Sequence, residues 1–149
     1  MTTFVLVHGL TCGGWCWQRV SKLLIKNNHL VYAPTLTGLG ERSHLLNPDI
    51  DLDTHITDIV NILMWEDLQD VMLVGHSYGG VIIRGVADKV SERIKHLIYL
   101  DAHVPANGQS VFDLLSKERL AYYQESVHKH GEGWFIPPPP AEFWELADA

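Results

Sequence analysis

Two cysteines, few basic residues and no long apolar run define this 149-residue chain as much as anything it contains. Cys12 and Cys16 are too few for a disulfide framework or a four-ligand zinc site. Four residues apart among tryptophans, they read as small packed thiols in a reducing compartment. Lys plus Arg number 11 against 18 Asp plus Glu, a formal charge of −7, and no basic cluster stands ready to neutralise phosphate. Nucleic acid and anionic membranes are therefore poor partners. The first apolar run, residues 4–7, is too short for a signal peptide or a membrane span, and no basic residue precedes it. The expected location is the cytoplasm. No internal repeat is present, and no G-x-G-x-x-G spacing follows that first run, so a dinucleotide fingerprint is excluded. With 46% hydrophobic and 19% charged residues, the chain is also neither disordered, collagen-like nor coiled coil. What remains is one compact domain that buries roughly 70% of its unfolded surface.

Short apolar runs alternate with helical stripes. Phe4-Val5-Leu6-Val7, closed by His8-Gly9, reads as a strand buried on both faces. Trp17, Val20, Leu23, Leu24 and Ile25 recur mostly at three or four, which predicts a helix from about 15 to 27, stopped by Asn27-Asn28. A second strand follows over 30–33, ended by Pro34, and then a long loop to Ile50. Asp51 or Asp53 caps a helix whose stripe is Ile56, Ile59, Val60, Leu63 and Met64. Val71-Met72-Leu73-Val74 is a third strand, 81–90 the next helix, and Leu97-Ile98-Tyr99-Leu100 a fourth strand. This alternation predicts an α/β fold, a parallel sheet with helices on both faces. Beyond Asp101 the pattern changes: a helix over 111–123, then a loop over 128–140 ending in four prolines, which serve as a rigid connector.

The chemistry is concentrated in Gly75-His76-Ser77-Tyr78-Gly79-Gly80. A bare G-x-S-x-G carries little information, but here an apolar strand feeds directly into it and a helix leaves directly from it. That context suits a nucleophile elbow: a sharp turn that strains the serine and lifts its hydroxyl above the sheet. Side chains two before and two after the serine would collide, hence Gly75 and Gly79. Acyl transfer also needs two amide donors for the tetrahedral oxyanion. Tyr78 supplies one, and Leu10, in the loop after the first strand, is the natural second. With strand order second-first-third-fourth, both loops leave the sheet at the crevice where ligands of open α/β sheets bind.

FVLVHG with GGWCW, GHSYGG and IYLDAHVP together resemble the α/β-hydrolase superfamily, and most closely the branch of plant methylesterases, hydroxynitrile lyases and small bacterial carboxylesterases. GEGWFIPPPP resembles the cap of the bacterial esterases. The resemblance covers nearly the whole chain and implies Ser77 as nucleophile with the Leu10 and Tyr78 amides as oxyanion hole. The hydroxynitrile lyases carry threonine where this chain has Gly9, a departure that favours ester hydrolysis. The superfamily also places its acid and then its histidine after the serine, in chains of roughly 200–250 residues. The chain therefore resembles the N-terminal part of a hydrolase core over 1–103 and the start of a cap over 104–149, with the last core strands absent. The fourth strand then forms an apolar edge without lysine, proline or bulge to protect it. The 149 residues alone are expected to aggregate and to lack activity.

Other residues are weighed against this frame. His76 adjoins Ser77 and should point away from its hydroxyl, and His8 should brace the oxyanion loop. His103 is expected to line the pocket, with a base role as the minor alternative. Asp101 could orient a histidine, although a structural carboxylate bonded to the next loop is the commoner outcome. His128 and His130 read as exposed loop residues rather than metal ligands, since no third ligand lies nearby. Cys12 lies near the oxyanion loop, yet nothing positions a base against it, and packing is favoured. The tryptophans, Phe135, Phe143 and Trp144 are assigned mostly to core or cap packing. The expectation is a serine hydrolase of small apolar carboxylic esters, without metal or cofactor and with a second copy of the chain as a candidate partner. A lyase or perhydrolase using the same serine, or a pseudoenzyme that binds without turnover, are the rivals.

Overall fold

A computed structural model describes residues 1–139. The chain divides into two compact units, Met1–Leu114 and Leu115 onward. The first holds a four-stranded, all-parallel sheet built from β1 (Thr3–Val7), β2 (Leu30–Tyr32), β3 (Val71–Ser77) and β4 (Ile94–Ala102). Its spatial order is β2-β1-β3-β4, as the strand pattern predicts. Helices α1 (Gln18–Lys26), α2 (Leu52–Trp65) and α3 (Gly79–Val90) make the crossovers. No helix of the described residues is long and apolar enough to cross a membrane.

Strand side chains alternate between faces, and this divides the core. Val5, Val7, Val71 and Leu73 join Ile56, Ile59 and Leu63 of α2 and Ile82, Ile83 and Val86 of α3 in the main cluster. Leu6 and Val74, on the other face, meet only Trp17 as a buried partner, with Phe4, Leu24, Val31 and Ile98 partly buried around them. Each fully buried aliphatic side chain contributes roughly 1.5–3 kcal/mol, so the α2/α3 side holds the fold. The helix ends are set locally. Asp51 caps α2 in a reciprocal box with Thr54, each side chain bonded to the other's backbone amide. Asn28, at φ 59°, ends α1: its amide bonds the Ile25 carbonyl while that of His29 bonds Leu24.

Several boundaries and burials differ from expectation. The predicted first helix begins as a 3-10 turn over Gly14–Trp17, and its stripe is largely uncovered, with Leu23 63% exposed. On α2, Met64 faces solvent while its four stripe partners pack inward. Of the tryptophans, Trp17 is buried, but Trp15 is 62% and Trp65 86% exposed, so core packing fails for those two. Phe143 and Trp144 lie outside the described residues. β4 is longer than its apolar run, includes Lys95 and carries a bulge at Asp101, so its edge is less bare than predicted. Leu100 is nevertheless 50% exposed.

The helix expected over 111–123 is split at the boundary between the two units. A 3-10 turn spans Val111–Leu114, and α4 runs Lys117–His130 from an N-cap at Ser116, whose hydroxyl accepts the Arg119 amide. His128 and His130 therefore stand on the last helical turn, not in a loop, where with Lys129 they complement the helix dipole. Two apart on a helix, their rings face different directions. Trp134 packs edge-on against Phe135, and Pro137, Pro138 and Pro139 line one cavity with the α4 residues Tyr122, Ser126 and His130.

Candidate active site

The register of the two central strands builds the site. Val7 pairs with Gly75, so His8, Gly9 and Leu10 leave β1 level with His76, Ser77 and Tyr78 leaving β3. Ser77 has φ 53°, left-handed backbone that a non-glycine residue holds only when its surroundings force it. The surroundings are backbone. A Cβ on Gly75 would lie 2.5 Å from the Gly79 carbonyl oxygen, and one on Gly79 would lie 2.6 Å from that of Val7. No side chain fits at either position, so the strand turns into α3 within two residues. A Cβ on Gly9 would lie 3.0 Å from Ser77 Cβ. The β1 loop thus rests directly on the serine, with little space for threonine there.

The end of β4 closes the other side. Leu100 pairs with His76 and Ala102 with Ser77, leaving Asp101 as the extra residue of a bulge at φ 43°. The bulge brings the His103 amide to the Ser77 carbonyl at 3.0 Å. Gly80 lets α3 approach closely, since a Cβ there would lie 2.6 Å from the His103 carbonyl oxygen. The backbone of the Gly9 loop and that of His103 therefore meet at Ser77. Asp101 departs from the commoner outcome: its carboxylate is exposed and has no hydrogen-bond partner among the described residues. Nor does any described side chain hydrogen-bond the Ser77 hydroxyl.

Two histidines serve as braces. His8, fully buried, donates from Nδ1 to the Gly9 carbonyl at 2.7 Å and accepts the Leu36 amide at Nε2, 3.1 Å away. Both nitrogens are used only by the neutral ring, and burial lowers its pKa. Above the unfolded value of about 6.5, both states are neutral and nothing is lost. Below it the unfolded chain takes up a proton that the fold refuses, so stability falls with falling pH, by up to ~1.4 kcal/mol per unit. Urea midpoints at about pH 7.5 and about pH 5.5 check this: His8→Asn should flatten the difference, and an unchanged difference would refute the brace. His76 turns away from the serine, its ring edge-on to Trp17 with centroids 6.3 Å apart.

His55 is the residue the sequence reading missed. Its Nε2 donates to the Thr37 carbonyl at 2.9 Å, which leaves Nδ1 to accept the Tyr78 hydroxyl at 3.0 Å. Burial, and then the charge of Asp51, push the Tyr78 phenol up to about 12, so it remains a donor. Thr37 is held in turn by Asp58, whose carboxylate accepts its amide at 2.7 Å and its hydroxyl at 2.8 Å. The loop after β2 is thereby tied through α2 to the residue following Ser77. The only signal in the sequence was His55 and Asp58 three apart beside an apolar stripe, a spacing that puts both on one helix face. His55→Phe should cost about 1–3 kcal/mol, because it strands the Thr37 carbonyl and the Tyr78 hydroxyl. A Tm equal to wild type in calorimetry would contradict this.

A parallel sheet with a strained serine between strand and helix, and a second loop seated on it, defines an α/β-hydrolase type of architecture. The chain belongs to the alpha/beta hydrolase family, whose profile matches residues 4–148. It is similar to the carbendazim hydrolyzing esterase of Nocardioides sp. (strain SG-4G), 50% identical over 117 residues, 78% of this chain and 48% of that protein. It is also similar to methylesterase 1 of Arabidopsis thaliana, 33% identical over 125 residues, 76% of this chain and 44% of that one. Among solved structures it superposes on an extracellular alpha/beta-hydrolase from a Paenibacillus species, described as sharing structural and functional homology with tobacco salicylic acid binding protein 2. The TM-score is 0.84 at 32% identity, covering 93% of this chain and 56% of that one. The chain spans about half the length of these relatives.

Proposed function

We propose that the protein is a serine esterase of small, largely apolar carboxylic esters, with Ser77 as the nucleophile. Ser77 Oγ attacks the ester carbonyl, its proton leaves to a base, and the alcohol departs from a tetrahedral oxyanion held by the Leu10 and Tyr78 amides. Water then releases the acyl group from Ser77. The observation that carries the reading is the left-handed Ser77 backbone enforced by Gly75 and Gly79, with the Gly9 loop against its Cβ. A strain of that kind persists at functional turns because neighbouring backbone over-determines it. The named relatives, an esterase and a methylesterase, support an ester substrate.

A non-catalytic reading has one observation in its favour, the absence of any described side chain on the Ser77 hydroxyl. Pre-steady-state kinetics on the protein expressed from its gene through the natural stop codon separates the two. Hydrolysis of p-nitrophenyl acetate should show a burst of p-nitrophenol stoichiometric with protein, followed by steady turnover. A rate equal to buffer supports the binding protein instead.

A further inference from the structure

We propose that Leu36 and Thr37, adjacent in the loop after β2, form one platform that fixes both amides of the oxyanion hole, with His8 and His55 as the positioning residues. The proposal rests on the reading of Leu10 and Tyr78 as the amide donors, whereas the contacts themselves do not. On the first side, the Leu36 amide donates to His8 Nε2 at 3.1 Å, and His8 Nδ1 donates to the Gly9 carbonyl at 2.7 Å. That carbonyl and the Leu10 N–H belong to one planar trans peptide, in which they point in opposite directions. A grip on the Gly9 oxygen therefore sets the direction of the Leu10 N–H. On the second side, the Thr37 carbonyl accepts from His55 Nε2 at 2.9 Å, and His55 Nδ1 accepts the Tyr78 hydroxyl at 3.0 Å. The Tyr78 carbonyl accepts the Val81 amide at 3.1 Å, so this residue is held at both ends.

The platform is itself immobilised. Leu36 is fully buried, and the Asp58 carboxylate takes both the amide and the hydroxyl of Thr37. Arg42 donates to the Thr35 carbonyl at 2.8 Å and stands 3.9 Å from Asp58. Thr35 Oγ1 accepts the Gly14 amide at 2.7 Å, a further tie to the loop that carries Leu10. A neutral imidazole suits both positions, since one rigid ring offers a donor and an acceptor and so links two loops at a fixed span. Oxyanion donors stabilise developing charge because they need no reorganisation as it forms. Two donors on loops from different strands keep their spacing when one segment supports both, and residues 36 and 37 reach each through a single histidine.

The test is burst-phase hydrolysis of p-nitrophenyl acetate by the protein expressed through its natural stop codon, with hydrogen exchange read on the same samples. Burst amplitude counts active sites, so rates are compared per site and a loss of folded protein does not enter. Removing an oxyanion donor costs ~10²–10³ in kcat, and a donor that is kept but loosened should cost less. Tyr78→Phe should lower acylation and kcat about tenfold per site with KM within about twofold. His55→Gln, whose amide supplies one donor and one acceptor, should restore most of what His55→Phe loses, and adding Tyr78→Phe to His55→Phe should cost nothing further. Tyr78→Phe removes a single oxygen and keeps its ring, so it carries the test where His55→Phe fails to fold. Wild-type acylation per site in Tyr78→Phe, or a raised KM at unchanged kcat, overturns the proposal. Exchange needs no turnover. Asp58→Ala releases Thr37 and should speed exchange about tenfold in both 8–11 and 75–80, whereas Tyr78→Phe should act on 75–80 alone. Unchanged exchange in Asp58→Ala, or a change confined to one loop, overturns the shared platform. A wild type without a burst contradicts the esterase reading instead, and the exchange pattern then decides the platform by itself.

Discussion

Replacing Ser77 by alanine is expected to leave the fold intact and remove essentially all ester turnover. The residue that loses its hydroxyl is half-buried at the end of β3, and the strain it carries is set by glycine and backbone neighbours rather than by Oγ. Alanine also tolerates the same φ less well than glycine but no worse than serine. Stability should therefore change little. Activity should change greatly, because without the nucleophile only positioning and the amide donors remain, worth a residual ~10³–10⁴ over water. Steady-state turnover of a p-nitrophenyl ester, with a thermal melt on the same sample, reads both quantities. A burst of undiminished size in Ser77→Ala means that another group is acylated.

Gly75→Ala is expected to have the largest effect on stability. The added carbon would stand 2.5 Å from the Gly79 carbonyl oxygen, 2.6 Å from its carbon and 2.9 Å from the Gly80 nitrogen. All three are backbone atoms, so no side-chain rotamer relieves the contact. The chain must either open the elbow or move α3, and α3 carries Ile82, Ile83 and Val86 into the main cluster. Overpacking of this kind costs about 2–4 kcal/mol, and here it acts on the turn that presents Ser77. Chemical denaturation should show a lower midpoint at an unchanged slope. A comparison with Gly108→Ala calibrates the result, since nothing lies within 4 Å of a Cβ there, although its φ of 82° brings some strain of its own. If Gly75→Ala is the milder of the two, the elbow is looser than described.

The strand order and the elbow were legible because both write themselves into short segments. A strand buried on two faces must be continuously apolar, and a turn without space for side chains must place glycine at fixed offsets. β4 was only partly legible. Its Asp101 bulge and polar ends depend on pairing with β3, which no local pattern encodes. The exposed stripe of α1 shows the converse: periodicity identified an amphipathic helix but not how much of it the described residues cover. Within the site, His8 was anticipated and His55 was not. The difference is distance along the chain, since His8 adjoins the loop it braces while His55 lies 23 positions from its partner Tyr78. The cysteines were misread for a similar reason. They were read as packed, yet Cys16 is exposed and Cys12 only half-buried, and spacing alone does not encode which contacts cover a side chain.

The most direct measurement of the central claim is covalent. An activated serine is phosphonylated by a fluorophosphonate far faster than an ordinary hydroxyl, because attack requires both a proton acceptor and a place for the oxyanion. The protein expressed from its gene through the natural stop codon should take up one phosphonate, and peptide mapping should place it on Ser77. Prior incubation with a slowly hydrolysed ester should protect that site. No adduct at Ser77 under conditions that label a known serine esterase completely, or an adduct on another residue, would contradict the account.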